Sequence, residues 1–408
     1  MLDLSADVKD IVDGLQQFVR AEVLPRHEAH QELLDSPHLT FDSSGRHSKE
    51  VRALRYEIRT ASARAGYYSL CVPEAIGGGG AGPLTSYAIW EALHRQCGMK
   101  HWLAYDAVSH WASGPSRNLC GLNSSLKEQV LDEVMTGEKT LCFGMSEPDA
   151  GTDIWRMRTR AEATEDGWRI NGTKQWITNG PYADYAVIFA VTEVEAVKAR
   201  KGGISAFLVP TDAPGFSVDS VIRLFGQSGG NEAILSLTDV HVARAQLLGE
   251  LHHGLEFGLS GIAQGRLYNA AKAVGLARWA LEQALSYTQE RVTFGKRLFD
   301  HQAISFSLAE AAMAVLPAHL LGLHAARLLE AGESALMETA MAKAVSVEMS
   351  AKVIETSIQA MGGIGLTNEL GLTQAWQDER VVHIADGSSQ MQRKIIAGRL
   401  AAGDIVKL

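Results

Sequence analysis

Three short motifs in this chain carry side chains whose type and spacing suit chemistry. The first is a carboxylate, Asp386, in Ile384-Ala385-Asp386-Gly387-Ser388-Ser389-Gln390-Met391-Gln392, with a helix-like run following from Met391 to Leu400. A carboxylate before glycine is ordinarily a turn residue or the cap of the next helix. Set beside a weakly acidic C–H, the same group can serve as a general base. The second motif is Gln175-Trp176-Ile177-Thr178-Asn179-Gly180, in which Trp176 and Thr178 occupy alternate positions of a strand-like segment and so share a face. A ring and a hydroxyl on one face can pack on a flat heterocycle and hydrogen-bond its edge; the plainer reading is a half-buried strand with a core Trp. The third, Arg291-Val292-Thr293-Phe294-Gly295-Lys296 with His301-Gln302-Ala303, offers a guanidinium whose planar fork matches phosphate. Taken alone, it also describes a solvated helix face ending in a turn at Gly295.

A fourth motif, Cys142-Phe143-Gly144-Met145-Ser146-Glu147-Pro148-Asp149-Ala150-Gly151-Thr152-Asp153, precedes these, and the set runs in order over nearly the whole chain. Together they resemble the acyl-CoA dehydrogenase family of flavoproteins. The resemblance implies an FAD-dependent α,β-dehydrogenation of an acyl-CoA thioester, with Asp386 taking the α-proton and hydride passing to flavin N5. Most members carry Glu at that position and some branches carry Asp. The side chain here is one methylene shorter, a loss of reach of roughly 1.5 Å. By the same resemblance Met145, Ser146, Trp176 and Thr178 contact the flavin ring, while Arg291, Phe294 and Gln302 contact its diphosphate and adenine end from a neighbouring subunit. Gln359 and Gly363 also reach across, and Ser388 and Gln390 complete the cofactor set. Thr152, Arg266, Ala385 and Gly387 fall on the substrate side, with Ala385 where many members have Tyr. Gly265 stands where some branches carry the base as Glu, and the segment Gly226 to Glu232 lacks an Arg common there.

The implied partners are an electron-transfer flavoprotein and further copies of the chain, as a homotetramer or dimer. Alternatives on the same fold are a flavin oxidase of acyl-CoA or nitroalkanes, an enoyl-CoA reductase and a non-catalytic acyl-CoA-binding partner subunit. No Gly-x-Gly-x-x-Gly follows a strand, so a Rossmann reading fails.

Composition is that of an ordinary soluble globular protein. With 408 residues the chain is long for one core, and with 46% hydrophobic and 21% charged residues it is typical of soluble domains. A net charge of -9 argues against nucleic-acid binding. The four cysteines lack the paired spacing of a zinc or redox site and read as reduced thiols of a cytoplasmic protein. His252-His253 and His301 lack companions for a metal set, so no metal is expected. No apolar stretch is expected to span a membrane, and the acidic segment Leu2 to Asp10 is unlike a leader or transit peptide.

Periodicity divides the chain into three blocks, giving an α+β fold. Residues 1–138 read as helical, from Val8, Ile11, Leu15 and Phe18, from Tyr87, Trp90 and Leu93, and from Leu126, Val130 and Val134. Gly77 to Gly80 read as a flexible loop, and His110 and Trp111 as helical. Residues 139–248 read as short strands of an antiparallel barrel or sandwich, with turns at Asn171-Gly172, Asn179-Gly180-Pro181 and Ala213-Pro214-Gly215. Residues 249–408 read as a helical bundle: Leu267 to Arg291, a helix within Ala303 to Ala331, and an all-round apolar helix Leu336 to Met361 ending at Gly362-Gly363.

Overall fold

The structure, a computed structural model, describes residues 4–406. Leu2 and Asp3 of the acidic N-terminal segment lie outside the described residues. The helices that matter here are, in chain order, α1 (Ala6–Phe18), α2 (Lys49–Arg64), α3 (Pro83–Cys97), α4 (Ser124–Met135), α5 (Gly254–Glu290), α6 (Gln302–Glu330), α7 (Leu336–Met361), α8 (Leu372–Val382) and α9 (Ser389–Ala401). The strands are β1 (Leu141–Gly144), β2 (Arg160–Ala163), β3 (Gly167–Thr178), β4 (Tyr185–Val191), β5 (Ile204–Pro210), β6 (Phe216–Ile222), β7 (Glu232–Ala243), β8 (Leu247–Leu248), and the hairpin pair β9 (Val292–Thr293) and β10 (Lys296–Arg297). Helices, then sheet, then helices follow one another along the chain, as the block reading expects. By its contacts the chain forms two compact units: Met1–Pro25, Gly82–Tyr105 and Ala263–Leu408 in one, Arg26–Ala81 and Asp106–Ile262 in the other.

The second unit is built on a sheet in the order β6-β7-β3-β2-β4-β5-β8, with β1 also paired to β4. It is mixed rather than purely antiparallel, since β1 and β2 both run parallel to β4. The apolar run of β4 explains its central place. Val187, Phe189 and Val191 face a core shared with Val130 and Val134 of α4. Ala186, Ile188 and Ala190 face a second core closed by Ile170, Phe207, Leu235 and Val240 from the sheet itself. A strand buried on both faces needs no polar alternation.

Three expectations in this unit change. Asn171-Gly172 makes no turn, because β3 runs straight through it with a register shift between Ile170 and Gly172. The backbone of Thr159 packs so close that a Cβ on Gly172 would stand 2.7 Å from its Cα. Gly77 to Gly80 form a hydrogen-bonded turn in which Gly78, Gly79 and Gly80 donate to the carbonyls of Pro73, Ser69 and Val72. His110 and Trp111 lie in a turn, where Gly114 donates to His110 O at 2.8 Å just before Pro115 stops any helix.

In the first unit α3 packs on α1 and α6, and α7 lies against α6, α8 and α9. Its core joins Val274, Ala277 and Leu281 of α5, Leu308 and Val315 of α6, and Met349, Val353 and Ile354 of α7. The end of α7 falls at Met361, with Gly362 left-handed at φ +67°, as its sequence expects. Against the expectation that no apolar stretch approaches such a length, α6 is long and apolar enough to cross a membrane by length and composition alone, which is weak evidence of a span. Pro317 lies inside it.

Gly98 closes α3 at φ +52°, ψ −159°, a region open to glycine alone, and a Cβ there would stand 1.9 Å from Trp279. Backbone strain and overpacking together should make Gly98→Ala cost roughly 3 kcal/mol. Urea unfolding checks this; a loss below about 0.5 kcal/mol would show that the Trp279 contact relaxes freely.

Candidate active site

Asp386 sits half-buried on the turn between α8 and α9. It adopts φ +53° and Gly387 follows at +86°, two successive left-handed residues. A side chain pays for that conformation in steric strain, so the turn must be held from outside. Asp386 does not cap α9. Ser388 does, accepting from Met391 N at 3.3 Å, and the Asp386 carboxylate is left for other work. Its Oδ2 accepts from Asn269 Nδ2 of α5 at 2.8 Å.

The carbonyls of the turn are bound by two buried side chains. Lys343 Nζ, from the middle of α7, donates to Ala385 O and, at 2.7 Å, to Gly387 O. Gln392 Nε2, from the first turn of α9, donates to Gly387 O at 2.7 Å and to Asp386 O at 3.4 Å. Gly387 takes φ +86°, which favours glycine, and a Cβ there would also displace that same Nε2, 2.8 Å away, from its bond to the turn.

Beneath the turn lies a cluster of buried charge. Burial pushes the Lys343 ammonium down to about 8, with Asp386 opposing the shift. Burial likewise lowers Arg266 of α5, again against the pull of Asp386, and the Arg266 Nε makes no hydrogen bond. Glu379 of α8 is fully buried and is pushed up to about 8 by desolvation, against the charge of Lys272, which itself pairs with Asp378. The sequence reading picked out Asp386, Arg266, Ala385 and Gly387, and these meet here. It missed Asn269, Lys343 and Gln392. The available signal was a lysine within the otherwise apolar Ala340-Met341-Ala342-Lys343-Ala344-Val345, since a buried ammonium demands acceptors.

In the sheet unit a second buried lysine organises a second loop. Lys174 of β3 donates from Nζ to Met145 O at 3.3 Å and to Glu147 Oε1 at 2.8 Å. Glu147 also accepts from the backbone N–H of Arg158 at 2.6 Å and of Thr159 at 3.0 Å. Gln175 N donates to Ser146 O at 3.0 Å, so Met145 and Ser146 are fastened to β3. There β3 bulges: three steps from Lys174 to Ile177 face two from Leu235 to Ala233. Trp176 takes φ +64° in the bulge and is 53% exposed, with Thr178 exposed on the same face. The plain reading of a core Trp is therefore excluded. Thr152 lies farther along the Met145 loop and is exposed.

The remaining candidates occupy the helical unit. Arg291 is exposed at the end of α5, and the β9–β10 hairpin turns at Phe294 and Gly295, φ +50° and +78°, the pattern of a type I′ turn. Phe294 is 96% exposed at its tip. Gln302 opens α6, Gln359 lies exposed in the last turn of α7 with Gly363 just beyond it, and Gln390 is exposed on α9.

Comparison with known proteins bears on the whole arrangement. Residues 142–240 match the acyl-CoA dehydrogenase middle domain and residues 252–401 the acyl-CoA dehydrogenase C-terminal domain. A probable acyl-CoA dehydrogenase of Bacillus subtilis, YngJ, is 32% identical over 98% of this chain and 99% of its own. The chain belongs to the acyl-CoA dehydrogenase family. As a member of it, the protein is an oxidoreductase acting on acyl-CoA, and the family is FAD-dependent. The caffeyl-CoA reductase-Etf complex subunit CarC of Acetobacterium woodii is 33% identical over 84% of this chain and 89% of its own. Among solved structures, the FAD complex of PigA is similar with a TM-score of 0.83 and 26% identity, covering 99% of this chain and 100% of that one.

The Lys174–Glu147 pair makes a direct prediction. Burial would raise the Glu147 carboxyl, but the Lys174 charge and the hydrogen bonds around it hold it below the usual carboxylate value of 4.5. Its contribution to stability is therefore complete above about pH 4.5 and is lost as pH falls through the lowered value. Lys174→Met should cost about 3–5 kcal/mol at pH 7 by leaving Glu147 buried and unpaired, with the gap to wild type narrowing toward acid pH. Denaturant unfolding across pH measures this; a pH-independent gap would contradict the ionic account.

Proposed function

We propose that the protein catalyses α,β-dehydrogenation of an acyl-CoA thioester, with Asp386 removing the α-proton. The observation that carries this reading is the state of Asp386: Ser388 caps α9 in its place, and Asn269 fixes one carboxylate oxygen. The carboxylate stands on a constrained turn whose carbonyls are all bound by buried donors. That is the preorganisation a base needs if it is not to lose rate to misplacement.

The residues present suit FAD. An indole held half-exposed in a strained bulge, with a hydroxyl beside it, offers a flat ring a rigid face and a hydrogen bond. Met145, Ser146, Trp176 and Thr178 would hold the ring, with Ser388 and Gln390 as further contacts. Arg291, Phe294, Gln302, Gln359 and Gly363 would act on the cofactor of a neighbouring copy. FAD, when bound, supplies the acceptor for the hydride leaving the β-carbon. Thr152, Arg266, Ala385 and Gly387 would act on the substrate, and the small side chain of Ala385 favours a bulky or branched acyl group. The Asp386 N–H and carboxylate act together, the one on the thioester oxygen and the other on the α-carbon.

We assign an electron-transfer flavoprotein as the electron acceptor, because the similar CarC is by name part of an Etf complex. That relative is a reductase, so the reverse reaction on an enoyl-CoA is the second reading. A homo-oligomer is proposed from the apolar outer face of α6, where Phe306, Leu316 and the 73% exposed Met313 stand open, and from the exposed tip at Phe294.

Anaerobic titration of the FAD-loaded protein with a panel of acyl-CoAs, followed by flavin absorbance, tests the reading. One acyl class should bleach the flavin, and Asp386→Asn should slow bleaching by at least about a thousandfold while keeping FAD. Bleaching that survives in Asp386→Asn would remove Asp386 as base. Reduction by nitroalkanes and not by acyl-CoAs would move the protein to the oxidase reading.

A further inference from the structure

Lys343 is fully buried in the middle of α7, among alanines, valines and methionines. Its amine ends between the two carbonyls that flank Asp386 in sequence, Ala385 O and Gly387 O. Gln392 binds Gly387 O from the other side and reaches Asp386 O. Two successive left-handed residues turn these carbonyls toward the donors, and the Asp386 side chain departs toward Asn269.

We propose that Lys343 is the positioning residue of the base, its ammonium clamping the Ala385–Gly387 turn so that the Asp386 carboxylate and N–H are presented in one fixed geometry. This rests on the reading of Asp386 as base. Charge-assisted bonds to two carbonyls fix the turn more rigidly than neutral donors can. The rigidity matters more here than with a longer acid, because an Asp roughly 1.5 Å short of a Glu has no spare reach to recover from a displaced backbone. The charged groups facing Lys343 are Asp386, Arg266 of α5 and Glu379 of α8. Lys272 and Asp378 face Glu379 in turn. Arg266 thus leaves a second cation near the base when Lys343 is removed, and the effect of removal is then chiefly geometric.

The test uses the FAD-loaded full chain and three variants, Lys343→Met, Lys343→Arg and Gln392→Leu. Two rates are read: flavin reduction by an acyl-CoA substrate, and exchange of the substrate α-proton with D2O followed by NMR. Lys343→Met should keep FAD and slow both rates together by about a hundredfold, with KM changing less than about threefold. Lys343→Arg should recover at least about tenfold, because its fork reaches both carbonyls. Gln392→Leu should slow both rates by about tenfold, as it removes a second donor to the same turn.

Wild-type exchange in Lys343→Met would overturn the proposal. So would losses in FAD content and KM that match the loss in rate and are not restored by Arg, which is the pattern of a merely structural lysine. Should Lys343→Met fail to fold, an unchanged exchange rate in Gln392→Leu together with one in Lys343→Arg no better than a hundredfold down would overturn it equally. Exchange that persists in Asp386→Asn would instead sink the assignment of the base, a separate result.

Discussion

The structure of the base turn depends on burying an ammonium. An isolated ammonium in an apolar interior is costly, and it is tolerated only where several acceptors converge on it. Lys343 meets that requirement with main-chain carbonyls, and those carbonyls belong to the residues on either side of Asp386. The need to satisfy the lysine and the need to hold a left-handed aspartate are thus met by the same bonds. Lys174 repeats the device in the sheet unit, where its amine reaches Met145 O and its charge is matched by Glu147. Each lysine fixes a loop whose neighbouring side chains are left free to act.

That logic accounts for where strain is kept. Asp386 at φ +53° and Trp176 at φ +64° are both non-glycine residues in left-handed backbone, and each adjoins a buried lysine contact. The bulge in β3 re-aims the indole out of the sheet core, and the turn before α9 re-aims a carboxylate that would otherwise cap the helix.

Much of the architecture was legible in the sequence. The strand at Tyr185 to Val191 read correctly because burial on both faces leaves an unbroken apolar run, and the helix at Leu336 to Met361 because its Ala, Met and Val content persists up to the Gly362-Gly363 stop. Asn171-Gly172 misled because the turn signal of that pair is local, while the pairing of β3 with β7 over twelve residues is not. His110 and Trp111 misled because apolar spacing does not register the Gly114-Pro115 stop that follows. Motif reading singled out Asp386 and Trp176, which stand on a turn and a bulge with distinctive sequence. Asn269 and Lys343 act from helices far away in sequence, and no local pattern ties them to residues 385–387, while Gln392, five residues past Gly387, reads only as one more polar residue of the following helix.

The central claim is that the Asp386 carboxylate removes the α-proton of a thioester. Stopped-flow reduction of the bound flavin by an acyl-CoA deuterated only at the α-carbon tests it most directly. The account predicts a several-fold slower reduction than with the protio substrate. An identical rate for the two substrates, with β-deuteration alone slowing the reaction, would contradict it by showing that α-proton removal does not contribute to the barrier.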